Sequence, residues 1–252
     1  MMLDTRAAAT GVRLITHAVL DSTNAQALLL SQRGEHGPLW IVAERQTAGR
    51  GRRGRAWVSQ SGNLFASLLL TAVASSERQP QLSLVAALAL HDAVAEVAPS
   101  LKPLIAIKWP NDLLLRGKKI AGILIEAAGG ENGAVAIGIG VNCASHPAST
   151  DYPATDLAAA GVAISPAMLF GPLSLKMIGR LAQWNGGEGI ATVRADWLAR
   201  AAGVGEEISV RLVDRELSGR FETLDQAGSL MLRLPSGHLE IIAAADVFML
   251  PS

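Results

Sequence analysis

TAGRGRRGRAW, residues 47–57, sets four arginines among three glycines and closes on a tryptophan. It lies between two apolar runs, LWIVAERQ (39–46) and LFASLLLTA (64–72), which read as buried strands. The arginines therefore sit on a loop at the end of a sheet, not on a tail. Three glycines let the backbone turn tightly and bring its N–H groups against a ligand. If the segment is extended, Arg50, Arg52, Arg53 and Arg55 alternate in direction, some inward and some outward. Guanidinium forks suit carboxylates and phosphates, to which they donate paired hydrogen bonds. A solvated basic loop is the plain alternative. The large flat face of Trp57 and the apolar strands on both sides argue against it.

The rest of the chain makes this charge a local device. Of 252 residues 50% are apolar, enough for a substantial core, while 17% are charged and the formal net charge is +0. With no acidic or basic tail, the overall field is not that of a general nucleic-acid binder. The single cysteine, Cys143, excludes an internal disulfide and any multi-cysteine metal site, which fits a reducing compartment. The first twenty residues lack the apolar stretch of a signal peptide, and no segment has the length of a membrane span. The expectation is a cytoplasmic protein.

Texture changes near Gly203. Before it, strand-like runs alternate with Ala/Leu-rich helical stretches, of which LSLVAALALHDAVAEVAP (82–99) reads as a helix packed across a sheet and ending before Pro99. IAIKW (105–109) reads as a strand, PND as a turn, and LLLRGKKIAGILIEAA (113–128) as a hairpin bent at Arg116-Gly117. AVAIGIGVNC (134–143) is a central strand whose glycines mark a close approach to the backbone, with Cys143 a small buried side chain at its end. Glu126 reads as a strand-end charge and Glu131 as part of a solvated loop, while 144–160 looks like an irregular surface insertion. Ser165-Pro166 cap and start a helix that Gly171-Pro172 should break or kink, and another helix covers roughly 188–201. After Gly203, five short strands separated by turns outline a small β-barrel. His36, His146 and His238 have no zinc-like spacing and read as surface or loop residues.

Two further stretches carry chemistry. In KWPNDLLLRGKKIAGILIE (108–126), Lys108, Asn111 and Asp112 bracket a proline turn, and Lys118 and Lys119 precede an apolar strand. There Lys119 either snorkels to solvent or is held against an anion in a partly desolvated cleft. DSTN (21–24) offers groups that cap a helix beginning near Ala25 or that bind the amide-like edge of a ligand. Each stretch is ambiguous alone. Taken in chain order, DSTN, ERQTAGRGRRGRAW, GNLFASLLL, KWPNDLLL, KKIAGILIE, GIGVN and the terminal β segment resemble the biotin protein ligase family, enzymes that attach biotin to carboxylases.

The resemblance implies an α+β fold. A mixed sheet with packed helices would span 1–202 as the catalytic domain, and an SH3-like β-barrel 203–252 would help close the site and receive the acceptor. It implies that Ser22, Thr23 and Asn24 hold biotin's ureido ring, with Gln46 nearby, and that Arg50, Gly51 and Arg52 form a loop closing over ligand and intermediate. Lys119 and Arg52 become the catalytic cations, and Gly122, with Gly138 and Gly140, allows close approach. Arg52, Arg55, Trp57, Asn111, Lys119 and Asn142 line the nucleotide side. Mg²⁺ arrives with ATP and has no dedicated protein site, Asp112 at most helping to position it through water. Biotin's carboxylate attacks the α-phosphate of ATP, giving biotinyl-AMP and pyrophosphate. A lysine of a biotin carboxyl carrier protein, from acetyl-CoA carboxylase or a related carboxylase, then attacks the mixed anhydride. One like-charge contact at ~4 Å and an effective dielectric of ~20 costs about 4 kcal/mol, which explains the demand for fixed cations.

Some members of the family carry an N-terminal helix-turn-helix. Here DSTN begins at residue 21, so the expectation is no DNA binding and no membrane partner, with homodimerisation left open. A lipoate or octanoate ligase on the same architecture and a non-catalytic biotin-binding module are the rival readings.

Overall fold

The computed structural model describes residues 1–71, 73, 75–129, 133–150 and 152–250. The strands of the first sheet are β1 (Arg13–Leu20), β2 (Leu39–Gln46), β3 (Leu64–Leu70), β4 (Ile105–Lys108), β5 (Asp112–Leu115), β6 (Lys118–Ala128) and β7 (Ala134–Val141). Their order across the sheet is β1-β2-β3-β7-β6-β5-β4, with β1 and β2 parallel and the other pairs antiparallel. The helices are α1 (Thr5–Ala8), α2 (Thr23–Gln32), α3 (Leu82–Val97), α4 (Pro166–Trp184) and α5 (Ile190–Leu198). A second, antiparallel sheet holds β8 (Glu207–Arg211), β9 (Glu216–Leu224), β10 (Leu230–Arg233), β11 (Leu239–Ile242) and β12 (Asp246–Met249), ordered β11-β10-β9-β8-β12.

Alternation along the strands separates two faces. Val135, Ile137, Ile139 and Val141 of β7 enter the main core with α3 and α4, as do Leu64, Ala66 and Leu68 of β3. The opposite positions of β7 are Ala134, Ala136, Gly138 and Gly140, so side-chain bulk shrinks along that face. At the alanine end α2 packs through Ala27 against Leu39, Ile41 and Leu69. At the glycine end the missing side chains make room for Asn24 and Trp57, which line a cavity there. The 113–128 hairpin turns at Arg116 (φ 50°) and Gly117 (φ 74°), the positive-φ pair of a two-residue loop whose twist matches the flanking strands.

The break expected at Gly171-Pro172 is absent, and α4 continues through both residues. Proline removes the N–H that the Met168 carbonyl would receive. Met168 is 55% exposed, which leaves that acceptor open to solvent. The next affected turn is supported by the Ser174 hydroxyl, which donates to the Gly171 carbonyl at 2.6 Å. Helix α2 starts at Thr23, two residues before the position expected, with the Ser22 hydroxyl accepting from the Ala25 N–H.

The two sheets are joined closely. Ile107 of β4 donates to Arg200 O and accepts from Ala202 N, each at 2.8 Å, which lays the connector between the sheets alongside β4. Trp109, fully buried, donates its indole N–H to Gly228 O at 3.0 Å.

Candidate active site

The cavity at the glycine end holds about 360 Å³. Around it the fold gathers Ser22, Thr23, Asn24 and Gln46, the arginine-loop residues Arg50, Gly51, Arg52, Arg55 and Trp57, and Asn111, Asp112, Lys119, Gly122 and Asn142. Positions more than a hundred residues apart meet because β2, β5, β6 and β7 end at the same side of the sheet.

The loop is not extended. Gly51 N–H donates to Arg55 O at 2.7 Å, and Arg52–Gly54 makes a single 3₁₀ turn with Arg53 in the left-handed region at φ 56°. The turn breaks simple alternation: Arg53 and Arg55 both reach the Asp246 carboxylate, and Arg50 pairs with Glu126 at 3.1 Å. Arg52 turns inward to the Ala245 carbonyl at 3.1 Å and Asn111 Oδ1 at 3.4 Å. Among the described residues it has no carboxylate within ion-pair distance, and burial pushes its pKa down despite the more distant Asp246 and Asp112.

Asp112 is the inner anion. Its Oδ1 lies 2.6 Å from Lys119 Nζ and its Oδ2 lies 3.3 Å from Lys108 Nζ. Burial drives its pKa up, but the two ammonium groups win and hold the carboxyl below its usual range. Lys108 is also pushed below its ordinary value, here because burial disfavours its charge by more than the attraction of Asp112 restores. Three cations, Arg52, Lys108 and Lys119, thus face one carboxylate in a partly enclosed space, an electrostatic surplus suited to an anion. Lysine ammonium groups flank both oxygens of Asp112, and no group of three His, Cys, Asp or Glu among the described residues could hold a metal.

The floor is neutral and short of donors. Gln46 Oε1 accepts from Thr23 N at 2.8 Å and Thr23 Oγ1 at 3.1 Å. Ser67 Oγ, completely buried, lies 2.7 Å from Thr23 Oγ1 and 2.6 Å from Asn24 Oδ1, one proton shared between two acceptors. Asn24 Nδ2 donates to Glu126 Oε2 at 2.8 Å and Leu124 O at 3.2 Å. A ligand bearing N–H groups would supply the donor that is lacking.

The glycines serve side chains of the protein itself. A Cβ at Gly138 would come within 2.5 Å of Asn24 Oδ1, and one at Gly140 within 2.6 Å of the Trp57 ring. Trp57 lies across Gly140 and Gly122, with Lys119 Nζ 5.4 Å from a ring centroid.

Two readings from the sequence change. Glu126 is inside β6 and accepts from Asn24 and Arg50, which ties it to the cavity floor and to the arginine loop from just outside the lining; Glu131 lies outside the described residues. The 144–160 segment is irregular and largely exposed, as expected of a surface insertion, and part of it also roofs the cavity through Pro147, Ser149, Thr150, Tyr152 and Ala154. Lys119 N donates to Pro153 O at 2.8 Å, Thr155 N donates back to Lys119 O at 2.9 Å, and Asn142 Nδ2 donates to Thr155 O at 3.1 Å. Backbone pairing with β6, which no side-chain pattern announces, fixes it there; Asp151 within it is not described. Its Tyr152 ring sits 3.6 Å from Lys108 Nζ. Ser67, Tyr152 and Asp246 escaped sequence reasoning altogether. Ser67 stood as the one polar residue in the apolar run LFASLLL, a signal that could have found it. The histidines at 36, 146 and 238 are exposed, His146 Nδ1 lying 2.5 Å from Asp156 Oδ2, and Cys143 is buried, its thiol pushed up to about 12 by burial.

A cation-lined cavity between a helix-packed mixed sheet and a small antiparallel β-sheet defines an α+β catalytic unit with an SH3-like β appendage. Residues 16–142 match the biotin/lipoate A/B protein ligase family and residues 203–250 the biotin protein ligase C-terminal domain. The chain is 44% identical over 237 residues to a biotin--[acetyl-CoA-carboxylase] ligase of Paracoccus denitrificans, covering 90% of this chain and 97% of that protein. It is 35% identical to the bifunctional ligase/repressor BirA of Bacillus subtilis, covering 94% of this chain and 74% of that one. The biotin protein ligase of Aquifex aeolicus in complex with biotin and ATP superimposes with a TM-score of 0.79 at 26% identity, over 94% of this chain and 99% of that one. The chain belongs to the biotin protein ligase family.

Proposed function

We propose that this protein activates biotin with ATP as biotinyl-5′-AMP and transfers the biotinyl group to a lysine of a biotin carboxyl carrier protein. The observation that carries the reading is Arg52, the loop arginine with no carboxylate of its own among the described residues, half-buried in the same cavity as Lys119. In the first step a carboxylate oxygen of biotin bonds to the α-phosphorus and pyrophosphate leaves. Two anions must meet, and Arg52 and Lys119 compensate their charge as it concentrates in the transition state. In the second step the neutral amine of the acceptor lysine attacks the acyl carbon, AMP leaves with the anhydride oxygen, and the amine's proton passes to solvent. The donor-poor floor of Thr23, Asn24, Gln46 and Ser67 suits the two N–H groups of the ureido ring. Asn111, Asn142, Arg55 and Trp57 take the nucleotide side, and Gly122 gives the ligand access to the backbone once Trp57 moves. Mg²⁺ enters as part of the ATP substrate.

We assign 1–202 to catalysis and 203–252 to the C-terminal unit, the connector along β4 being the natural division; residues 251–252 lie outside the described part. The test is biotin-dependent exchange of labelled pyrophosphate into ATP. The parent protein should exchange, and Lys119→Ala should lose on the order of 10²-fold or more. Exchange with lipoate in place of biotin would overturn the substrate assignment, and absence of any exchange would leave only a binding module.

A further inference from the structure

The reaction as drawn does not use Glu126, yet this residue stands where the cavity floor meets the arginine loop. Its Oε2 accepts from Asn24 Nδ2 at 2.8 Å and from Arg50 Nη2 at 3.1 Å. On the far side of Asn24 the shared proton of Ser67 leads to Thr23, and Thr23 leads to Gln46. Gln46 Nε2 donates to Ser59 Oγ at 2.9 Å, and Ser59 Oγ donates to the Trp57 carbonyl at 2.9 Å. The hydrogen bonds thus form a circuit that leaves the loop at Arg50, crosses the floor and returns to the loop at Trp57. Ser67, Thr23 and Asn24 are buried, so none can exchange a partner for water without cost. A ligand that donates N–H groups to the floor must take acceptor capacity from members of this circuit. The displaced bonds shift toward the loop at its two junctions with the floor, Ser59 Oγ on the Trp57 side and, on the Arg50 side, Glu126 Oε2, the charged one of the two.

We propose that Glu126 is a positioning residue that couples occupancy of the cavity floor to closure of the arginine loop, by holding the Asn24 amide and the Arg50 guanidinium on a single carboxylate oxygen. The proposal rests on the biotin reading of the floor. Glutamine at this position keeps the shape but loses the charge that a guanidinium prefers and turns an NH₂ group toward one of the two donors.

The loop arginines are trypsin sites, which gives a direct readout. The full-length parent, Glu126→Gln, Arg50→Gln and the double variant are digested with and without saturating biotin, and release of preformed biotinyl-AMP is followed in parallel. In the parent, biotin slows cleavage within the loop. In Glu126→Gln, calorimetry still detects biotin binding, but the ligand no longer slows cleavage, and biotinyl-AMP is released about tenfold faster, the order expected for loss of a charge-assisted hydrogen bond. The double variant should release no faster than Arg50→Gln alone. Arg50 is exposed, so Arg50→Gln carries the same test from the loop side if Glu126→Gln fails to fold. Biotin-dependent protection of parental size in Glu126→Gln, or two single effects that multiply in the double variant, overturns the coupling and leaves the functional reading standing. A parent protein that binds no biotin overturns both.

Discussion

Four arginines that look equivalent in the sequence divide into two kinds in the folded chain. Arg50, Arg53 and Arg55 are paired with carboxylates of the protein and fasten the loop, while Arg52 meets only neutral acceptors and is left for the ligand. Arg52→Ala should therefore let biotinyl-AMP escape, appearing in solution without acceptor protein; retention equal to the parent's would refute this role. Asp112 carries a different burden. Removing its charge leaves the buried Lys108 without its carboxylate and facing the half-buried Lys119, and breaking a buried pair in this way costs about 3–5 kcal/mol. Asp112→Asn should lose stability of that order in denaturant melts at neutral pH. Because the folded-state pKa of Asp112 is depressed, its contribution is present above the ordinary carboxylate pKa and disappears as the pH falls through the folded value. Parent and variant should consequently converge in acid. The residue types around the site were legible because charge and glycine stand out in an apolar chain. Their partners were not: Glu126 and Asp246 are ordinary acidic residues on strands, and only the fold turns them toward the loop.

At the level of elements, β7 and the 113–128 hairpin were readable because period-two alternation and an Arg-Gly turn are local signals. The continuity of α4 was not, since it depends on solvent access to one carbonyl and on a serine three residues beyond the glycine. Nor did the sequence announce how the helices are tied together. Asp92 on α3 lies 2.5 Å from Arg180 on α4 and 3.5 Å from Arg200 beyond α5, while Arg180 also lies 2.5 Å from Asp196 on α5. Burial raises the pKa of Asp92, but His91, Arg180 and Arg200 overcome it and bring the carboxyl down to about 2. That displacement corresponds to roughly 2 kcal/mol. Asp92→Asn should lower stability by about this amount at pH 7, with a loss that shrinks as the pH is taken from about 4 toward 2. Thermal unfolding across that range is the measurement, and a pH-independent loss would point to packing instead.

For the whole molecule, the contacts between the two sheets converge on the cavity. Lys108 donates to Val247 O at 3.2 Å, Arg52 to Ala245 O, and Arg53 and Arg55 to Asp246, so a single turn and strand of the small sheet touches four of the cations around the site. No periodicity links residues 52 and 245, which is why local pattern showed the small sheet only as strands, its part in closing the site being implied by the family resemblance. The Asp246 pairs are partly exposed and should add little to global stability, on the order of 1 kcal/mol or less. Their effect should fall on the loop. Asp246→Asn is expected to release biotinyl-AMP several-fold faster at low ionic strength, a difference that narrows at about 0.5 M salt as screening weakens the parent's pairs. Equal release rates at low salt would remove Asp246 from the loop's support.

The connector that runs beside β4 has a consequence for how this chain can vary. Arg200 and Ala202 grip both polar groups of Ile107, and the next residue is Lys108. The segment works as a ruler: one residue more or fewer after Ala202 would offset the second sheet by about 3.3 Å against the charges it faces. Loops elsewhere on the surface can grow or shrink freely. Here a single-codon insertion or deletion would be felt at the chemistry, long before it was felt in the fold.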